Sequence, residues 1–250
     1  MRNLRDATAR SLLLAVVFLC AFCGGLVSVQ AANLGVSPLR VELAPGQTSA
    51  VLSLNNHGDK AVVVQLEAVR WTQENGQDVY APTRDLVASP PVFTLEPGAV
   101  QLIRIGLRKP ADDGQEMAYR LFLQEVPGAL SAGRATVQMA LKISLPVFVL
   151  PKEVVRKLEW SLQRTTDGRL RLRAQNLGTT RVQLVGLVVY APGDSKPLAS
   201  EAQMSYVLAG QSRDWLLTPK DKLPATLSML RVQSGSDNGR IEQDVQLQAP

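Results

Sequence analysis

The sequence predicts an all-β protein built as two antiparallel sandwiches. Apolar and polar residues alternate in run after run, which is the two-residue period of a strand with one buried face. Turn signals such as Ala44-Pro45-Gly46, Glu96-Pro97-Gly98 and Asp167-Gly168 separate the runs at regular intervals. No stretch keeps a convincing helical period, and the strand pattern restarts after Pro151. Residues 32–148 are expected to form the first sandwich, 149–153 a linker and 154–250 the second.

The first 31 residues are set apart. Arg2, Arg5 and Arg10 precede the apolar run SLLLAVVFLCAFCGGLVSV, and Val29-Gln30-Ala31 supplies a small-residue cleavage site. That order of parts describes a secretory signal peptide rather than a membrane anchor, and implies a secreted chain. Both cysteines, Cys20 and Cys23, lie in the leader, so the mature chain is held by apolar cores without a disulfide. About 220 residues remain, enough for one large domain or two smaller ones with separate cores. The net charge is only +5 before cleavage, with no basic tail and no run of like charge, so nucleic acid is not an expected partner.

In the first half, GVSPLRVEL, SAVLSLNN, KAVVVQLEAVRW, DLVASPPVFTL, AVQLIRIGL, MAYRLFLQEV and RATVQMALKISLP are strand candidates. About seven such runs match an antiparallel sandwich. TQENGQDVY, between the third and fourth, reads as a polar stretch. In the second half, KLEWSLQRTTDGRLRLRAQN reads as a hairpin turning at Asp167-Gly168, and GSDNG, Gly235 to Gly239, as a hairpin loop. The two halves show no evident sequence repeat.

The run RATVQMALKISLP sets Ala135, Val137, Met139, Leu141 and Ile143 on one face and Lys142 on the other, and is expected to stop at Pro146. Arg40, in SPLRVEL, and Lys142 both stand among apolar neighbours, in the first and last strands of one domain. If those strands lie side by side, two cations come together. Such an arrangement suits a bound anion, such as a carboxylate, since like charges otherwise repel.

Chemistry of other kinds finds little support. The mature chain has no cysteine and one histidine, His57, in the turn-forming NNHGD. No nucleophile–base pair, phosphate loop or zinc ligand set is present, so neither catalysis nor a metal or cofactor is expected. Asp112-Asp113 reads as a solvated loop.

EMAYRLFLQEVP, Glu116 to Pro127, resembles the signature of the periplasmic pilus chaperones of the chaperone–usher pathway. SPPVFTLEPGAVQLIRI, Ser89 to Ile105, is similar to that family's proline-rich strand pair. Arg40 and Lys142 fall where the family carries a first-strand Arg and a cleft Lys. The resemblance implies two immunoglobulin-like sandwiches set as a boomerang. It implies that the seventh strand, through Ala135, Val137, Met139, Leu141 and Ile143, completes a pilus subunit that lacks a strand, while Arg40 and Lys142 hold the subunit's C-terminal carboxylate. The subunit is then passed to an outer-membrane usher. The same exposed strand implies self-association of the free chain.

Some residues depart from the family pattern. Phe122 stands where an Asn is usual, and Leu177 replaces the Pro of an Asn-Pro-Thr turn. The family's ion network between domains uses the Glu at position 116 and a basic residue after the seventh strand; Ser144-Leu145-Pro146 supplies none. These features resemble a divergent branch, of archaic or alternative type. The other readings are a secreted two-domain surface or adhesion component and a periplasmic hydrolase, the latter opposed by the missing catalytic pairs.

Overall fold

The computed structural model describes residues 33–108, 114–128, 139–224 and 226–249. The leader, Asp112-Asp113, and Ala135 and Val137 of the donor run lie outside the described residues. Everything described is strand, turn or loop, as the alternation predicts.

Among the described residues, ten strands build the first half: β1 Leu34–Ser37, β2 Val41–Leu43, β3 Ser49–Asn56, β4 Val62–Glu74, β5 Gln77–Pro82, β6 Leu86–Ser89, β7 Val92–Leu95, β8 Val100–Leu107, β9 Met117–Val126 and β10 Lys142–Val149. One sheet has the order β1-β3-β8-β6 and the other β2-β10-β9-β4-β5, with β7 also on β4. The chain changes sheet between β1 and β2, across Pro38. Leu54, Val64, Ile103, Tyr119, Leu121 and Val147 fill the space between the sheets.

Two details correct the sequence reading. The polar stretch TQENGQDVY is a hairpin: Asn75 and Gly76 have φ of 50° and 77°, and Glu74 faces Gln77. Two positive φ angles in a two-residue loop fit the twist of the flanking strands, and Asn-Gly supplies them at little cost. The last strand also runs later than expected, from Lys142 through Pro146 to Val149. The 2.8 Å bond from the Glu125 N–H to the Leu141 carbonyl sets the phase of the β9–β10 ladder. Odd-numbered residues of β10 then bond to β9, and even-numbered ones point their backbone the other way. Pro146 is even, so its missing N–H costs no bond to β9, and the strand continues.

Eight strands build the second half: β11 Leu158–Arg164, β12 Leu170–Asn176, β13 Val182–Tyr190, β14 Pro197–Glu201, β15 Ser205–Val207, β16 Ser212–Leu217, β17 Met229–Ser236 and β18 Gly239–Gln248. β18 pairs with β17 along its length and with β11 at Leu162↔Leu247, so the sheets join in one path around a core of Leu170, Leu172, Val189, Leu230 and Val232. The first hairpin forms where expected. Its loop holds three residues, since the Thr165 N–H bonds the Arg169 carbonyl at 2.9 Å and Gly168 takes a φ of 84°.

The structure reveals a repeat that the sequence alone does not advertise. Asn56 and Asn176 are both fully buried. Asn56 donates to the carbonyls of Lys60 (2.7 Å) and Leu95 (3.0 Å) and accepts from the Gly58 N–H at 2.9 Å. Asn176 donates to Thr180 (2.8 Å) and Val207 (3.0 Å) and accepts from the Gly178 N–H at 2.9 Å. Each Asn thus ties an N-x-G turn to a strand end just before a second glycine turn, at Gly98 and Gly210. The shared signal is a single Asn and Gly, too short to see without the geometry.

Each amide satisfies three backbone groups, all of them buried at Asn176, whereas at Asn56 the Leu95 carbonyl is buried and the other two are part-buried. Asn56→Ala and Asn176→Ala should each lower stability by about 2–4 kcal/mol, since a buried polar group left unpaired costs about 1–3 kcal/mol. Urea titration checks this. A loss below about 0.5 kcal/mol at either site would show that the turn holds without its amide.

Candidate functional site

The last strand lies later than the alternation predicts but keeps its parity, and the apolar face it belongs to is only partly in its own core. Val149, Val147 and Leu145 are at most 3% exposed. Ile143 and Leu141, on the same parity, are half-buried, and Met139 is 68% exposed. One apolar face therefore leaves the core and continues outward as a ridge.

The outer side of β10 is open over the same stretch. β2 pairs only with Val147, Phe148 and Val149. From Lys142 to Leu145 no second neighbour strand exists among the described residues. By the phase of the ladder, the N–H and C=O groups of Lys142 and Ser144 point into that gap. A free edge beside an apolar ridge is a template for an added strand.

The outer face of the same sheet carries the cations. Along β9 and β10, Gln124 faces Lys142, Phe122 faces Ser144 and Arg120 faces Pro146. β2 and β10 do lie side by side, and Val147↔Val41 sets Arg40 next to Pro146. Lys142 is four residues away along β10, about 13 Å at 3.3 Å per residue, so the two cations do not stand opposite each other. The Lys142 ammonium lies over the Phe122 ring, 4.3 Å from its centre. Phe122, where the family has Asn, is thus a seat for that ammonium. Arg40 is engaged already: Nε is 2.9 Å from Glu42 and Nη1 donates to the Gln183 side-chain oxygen at 3.1 Å.

A third cation escaped the sequence reading. Arg120 lies over the Trp71 ring, 3.9 Å from its centre, and its Nε is buried without a partner. It forms no ion pair among the described residues, and burial pushes its guanidinium pKa down. Its signal was a charged residue inside the apolar run MAYRLFLQEV, on the face opposite Leu121.

An interdomain ion network exists, with an unexpected cation. Glu116, at the head of β9, is buried and accepts from Arg181 Nη1 at 2.6 Å, the Arg181 N–H at 3.2 Å and the Thr180 hydroxyl at 2.8 Å. Arg181 also bonds Glu42 through Nη2 and lies over the Phe148 ring, 3.7 Å from its centre. The basic residue missing after the seventh strand is thus replaced from the second sandwich. Beside it, Trp71, Phe148 and Tyr206 pack within 6 Å of one another and seal the joint. Gln73 bridges the halves, donating to the Tyr206 carbonyl at 2.7 Å and accepting from the Leu208 N–H at 3.0 Å. Asp78 accepts from Trp71 Nε1 at 3.0 Å and from Arg213 at 2.7 Å. Burial alone would raise its pKa, yet bonds from Arg213, Gln73 and Trp71 hold it below the ordinary 3.8. The segment between β10 and β11 is tied down too: Gly178 lies so near the Val155 carbonyl that a side-chain carbon there would stand 2.2 Å from it.

His57 sits exposed in the turn after β3, its N–H bonded to the Asn33 carbonyl at 2.7 Å.

Comparison with known proteins bears on this geometry. Residues 33–155 match the family model for the PapD N-terminal domain of pili and flagellar-assembly chaperones. No curated protein sequence matches the chain. In fold it is similar to a chain of the pre-assembly complex of the chaperone CsuC and the tip adhesion subunit CsuE, from archaic Csu pili of Acinetobacter baumannii. That match has 20% identity and a TM-score of 0.65, over 88% of this chain and 100% of that one. It is also similar to a chain of the Salmonella enterica complex of the SafA pilin with the SafB chaperone, at 17% identity and TM-score 0.60, over 86% and 98%. The E. coli chaperone DraB matches at 20% and 0.55, over 88% and 100%.

The joint has a pH signature. Burial pushes the Glu116 carboxyl above its ordinary 4.5, against the pull of Arg181. A carboxyl with a raised folded-state pKa contributes stability below its unfolded value and loses it as pH rises through the folded value. The stability of the wild type relative to Glu116→Gln should therefore increase as pH falls from 7 toward 4.5. Urea titrations across that range check it; a decrease would show that attraction to Arg181 outweighs burial.

Proposed function

Since its N-terminal sandwich belongs to the pili and flagellar-assembly chaperone family, we propose that this chain is a chaperone of pilus assembly that holds subunits by lending them its last strand. The observation that carries this reading is the open edge of β10 beside a ridge that leaves its own core. The Met139, Leu141 and Ile143 side chains enter the groove of a subunit that lacks a strand, and by sequence parity Val137 and Ala135 extend the series. The backbone groups of Lys142 and Ser144 bond the subunit's strand. No cofactor and no chemical step is needed, because burial and hydrogen bonds supply the binding energy.

The subunit's C-terminal carboxylate binds in the cleft, through Arg40 and Lys142, with Arg120 on the floor between β9 and Trp71. The anchor fixes register. A one-residue slip would turn the wrong side chains into the groove. The chain works in the periplasm after its leader is removed, and delivers subunits to an outer-membrane usher. When no subunit is present, the same edge pairs with a second copy, because free apolar edges recruit partners.

Two groups of variants test this. Lys142→Ala and Arg40→Ala should each weaken the complex with the co-expressed pilus subunit at least about tenfold, the value of a charge-assisted hydrogen bond, with the chain still folded. Arg120→Met, measured alongside, shows how much of the carboxylate it takes. If all three bind as the wild type does, the carboxylate anchor is wrong.

Met139→Asp and Leu141→Asp should leave the melting temperature within a few degrees of wild type and abolish subunit binding, because their burial comes from the subunit. Leu145 is the opposite case. It is a core residue, and Leu145→Ala should cost about 2–5 kcal/mol in the free chain. Binding retained by the Asp variants contradicts strand donation.

A further inference from the structure

We propose that Gln183, on the second sandwich, is a positioning residue for the carboxylate site on the first. This rests on the reading of Arg40 as a carboxylate ligand. Arg40 stands just before β2, outside any strand, so the sheet does not fix its side chain. Two contacts do. Glu42 takes Nε at 2.9 Å, and Gln183 Oε1 takes Nη1 at 3.1 Å. The remaining N–H groups of the guanidinium fork stay available to an anion.

Gln183 suits the task chemically. Its neutral amide oxygen accepts a hydrogen bond without cancelling the charge, whereas a carboxylate there would neutralise Arg40. Glu42, the other partner, already shares its charge with Arg181, which in turn holds buried Glu116. Arg40, Arg181, Glu42 and Glu116 together carry two positive and two negative charges. Gln183 adds a restraint without tipping that balance against an incoming carboxylate.

Its placement is built. Arg181 stands just before β13 and Gln183 on it two residues later, and both side chains reach the first sandwich, Arg181 at Glu116 and Gln183 at Arg40. β13 begins just past the Asn176 turn, and its Gln183 is held opposite Tyr206 of β15, which packs in the joint. The joint between sandwiches therefore extends to the guanidinium, and its geometry helps set the aim of Arg40. The second sandwich thereby contributes to subunit binding through one side chain.

The test is a double-variant cycle on Arg40→Ala and Gln183→Leu, using the full chain and its co-expressed pilus subunit. The readouts are the dissociation rate of the purified complex and the melting temperature of the free chain. Gln183→Leu should speed dissociation about fivefold, the net value of one ordinary hydrogen bond, since Gln183 acts on the carboxylate only through Arg40, with the melting temperature unchanged. In the Arg40→Ala background the same change should have no further effect, which a merely structural role would not produce. Wild-type dissociation by Gln183→Leu, with Arg40→Ala impaired, overturns the positioning role and leaves the anchor intact. An effect that persists in the Arg40→Ala background overturns it as well. Wild-type behaviour by Arg40→Ala removes the anchor itself, and the positioning role with it.

Discussion

The phase of one ladder governs much of this molecule. Antiparallel pairing with β9 assigns every odd residue of β10 to the core side and sends the even backbone groups outward. Because the period is strict, one face carries Val149, Val147 and Leu145 inside the sandwich and Leu141 and Met139 beyond it. The same face thus runs from the core to the exposed ridge without a break in parity. What changes along it is only what covers it: β2 on the outer edge at one end, and no described strand at the other. Pro146 marks the transition, at the last place where a missing N–H costs nothing.

Such an arrangement needs a rigid base, since an exposed edge is held in place only by what lies beneath and beside it. Burying Arg181 with Glu116 is costly in itself, and removing one partner of such a pair typically costs about 3–5 kcal/mol. That asymmetry favours a single docked arrangement over many loose ones. The aromatic group of Trp71, Phe148 and Tyr206 adds apolar burial at the same joint, and Gln73 adds backbone hydrogen bonds across it. The cleft cations sit along the margin of this joint. Arg120 rests on Trp71 and Arg40 on Gln183 and Glu42, so the cation-bearing face and the joint share their supports.

Sequence alone reveals what repeats over several residues. The alternation around Val137 to Ile143, the regularly spaced turn signals and the signature from Glu116 to Pro127 are extended patterns, and they carried the fold class and the donor-strand reading. Single residues acting over long separations were hidden. Arg181 stands at the start of an ordinary-looking strand run, and only folding brings it to Glu116. Asn56 and Asn176 look like turn residues until their buried amides are seen. Pro146 was read as a stop because the side of the strand it faces is a property of pairing, not of sequence. The spacing of Arg40 and Lys142 was hidden for the same reason: adjacency of strands was inferred correctly, but register decides which residues meet.

Residue-resolved amide hydrogen exchange, on the free chain and on its complex with a pilus subunit, tests strand lending most directly. The amides of Ile143 and Leu145 bond to β9 and should be protected in both states. Those of Lys142 and Ser144 face the open edge and should exchange freely in the free chain, then become protected in the complex. Protection of Lys142 and Ser144 in the free chain, or continued fast exchange in the complex, would contradict the account.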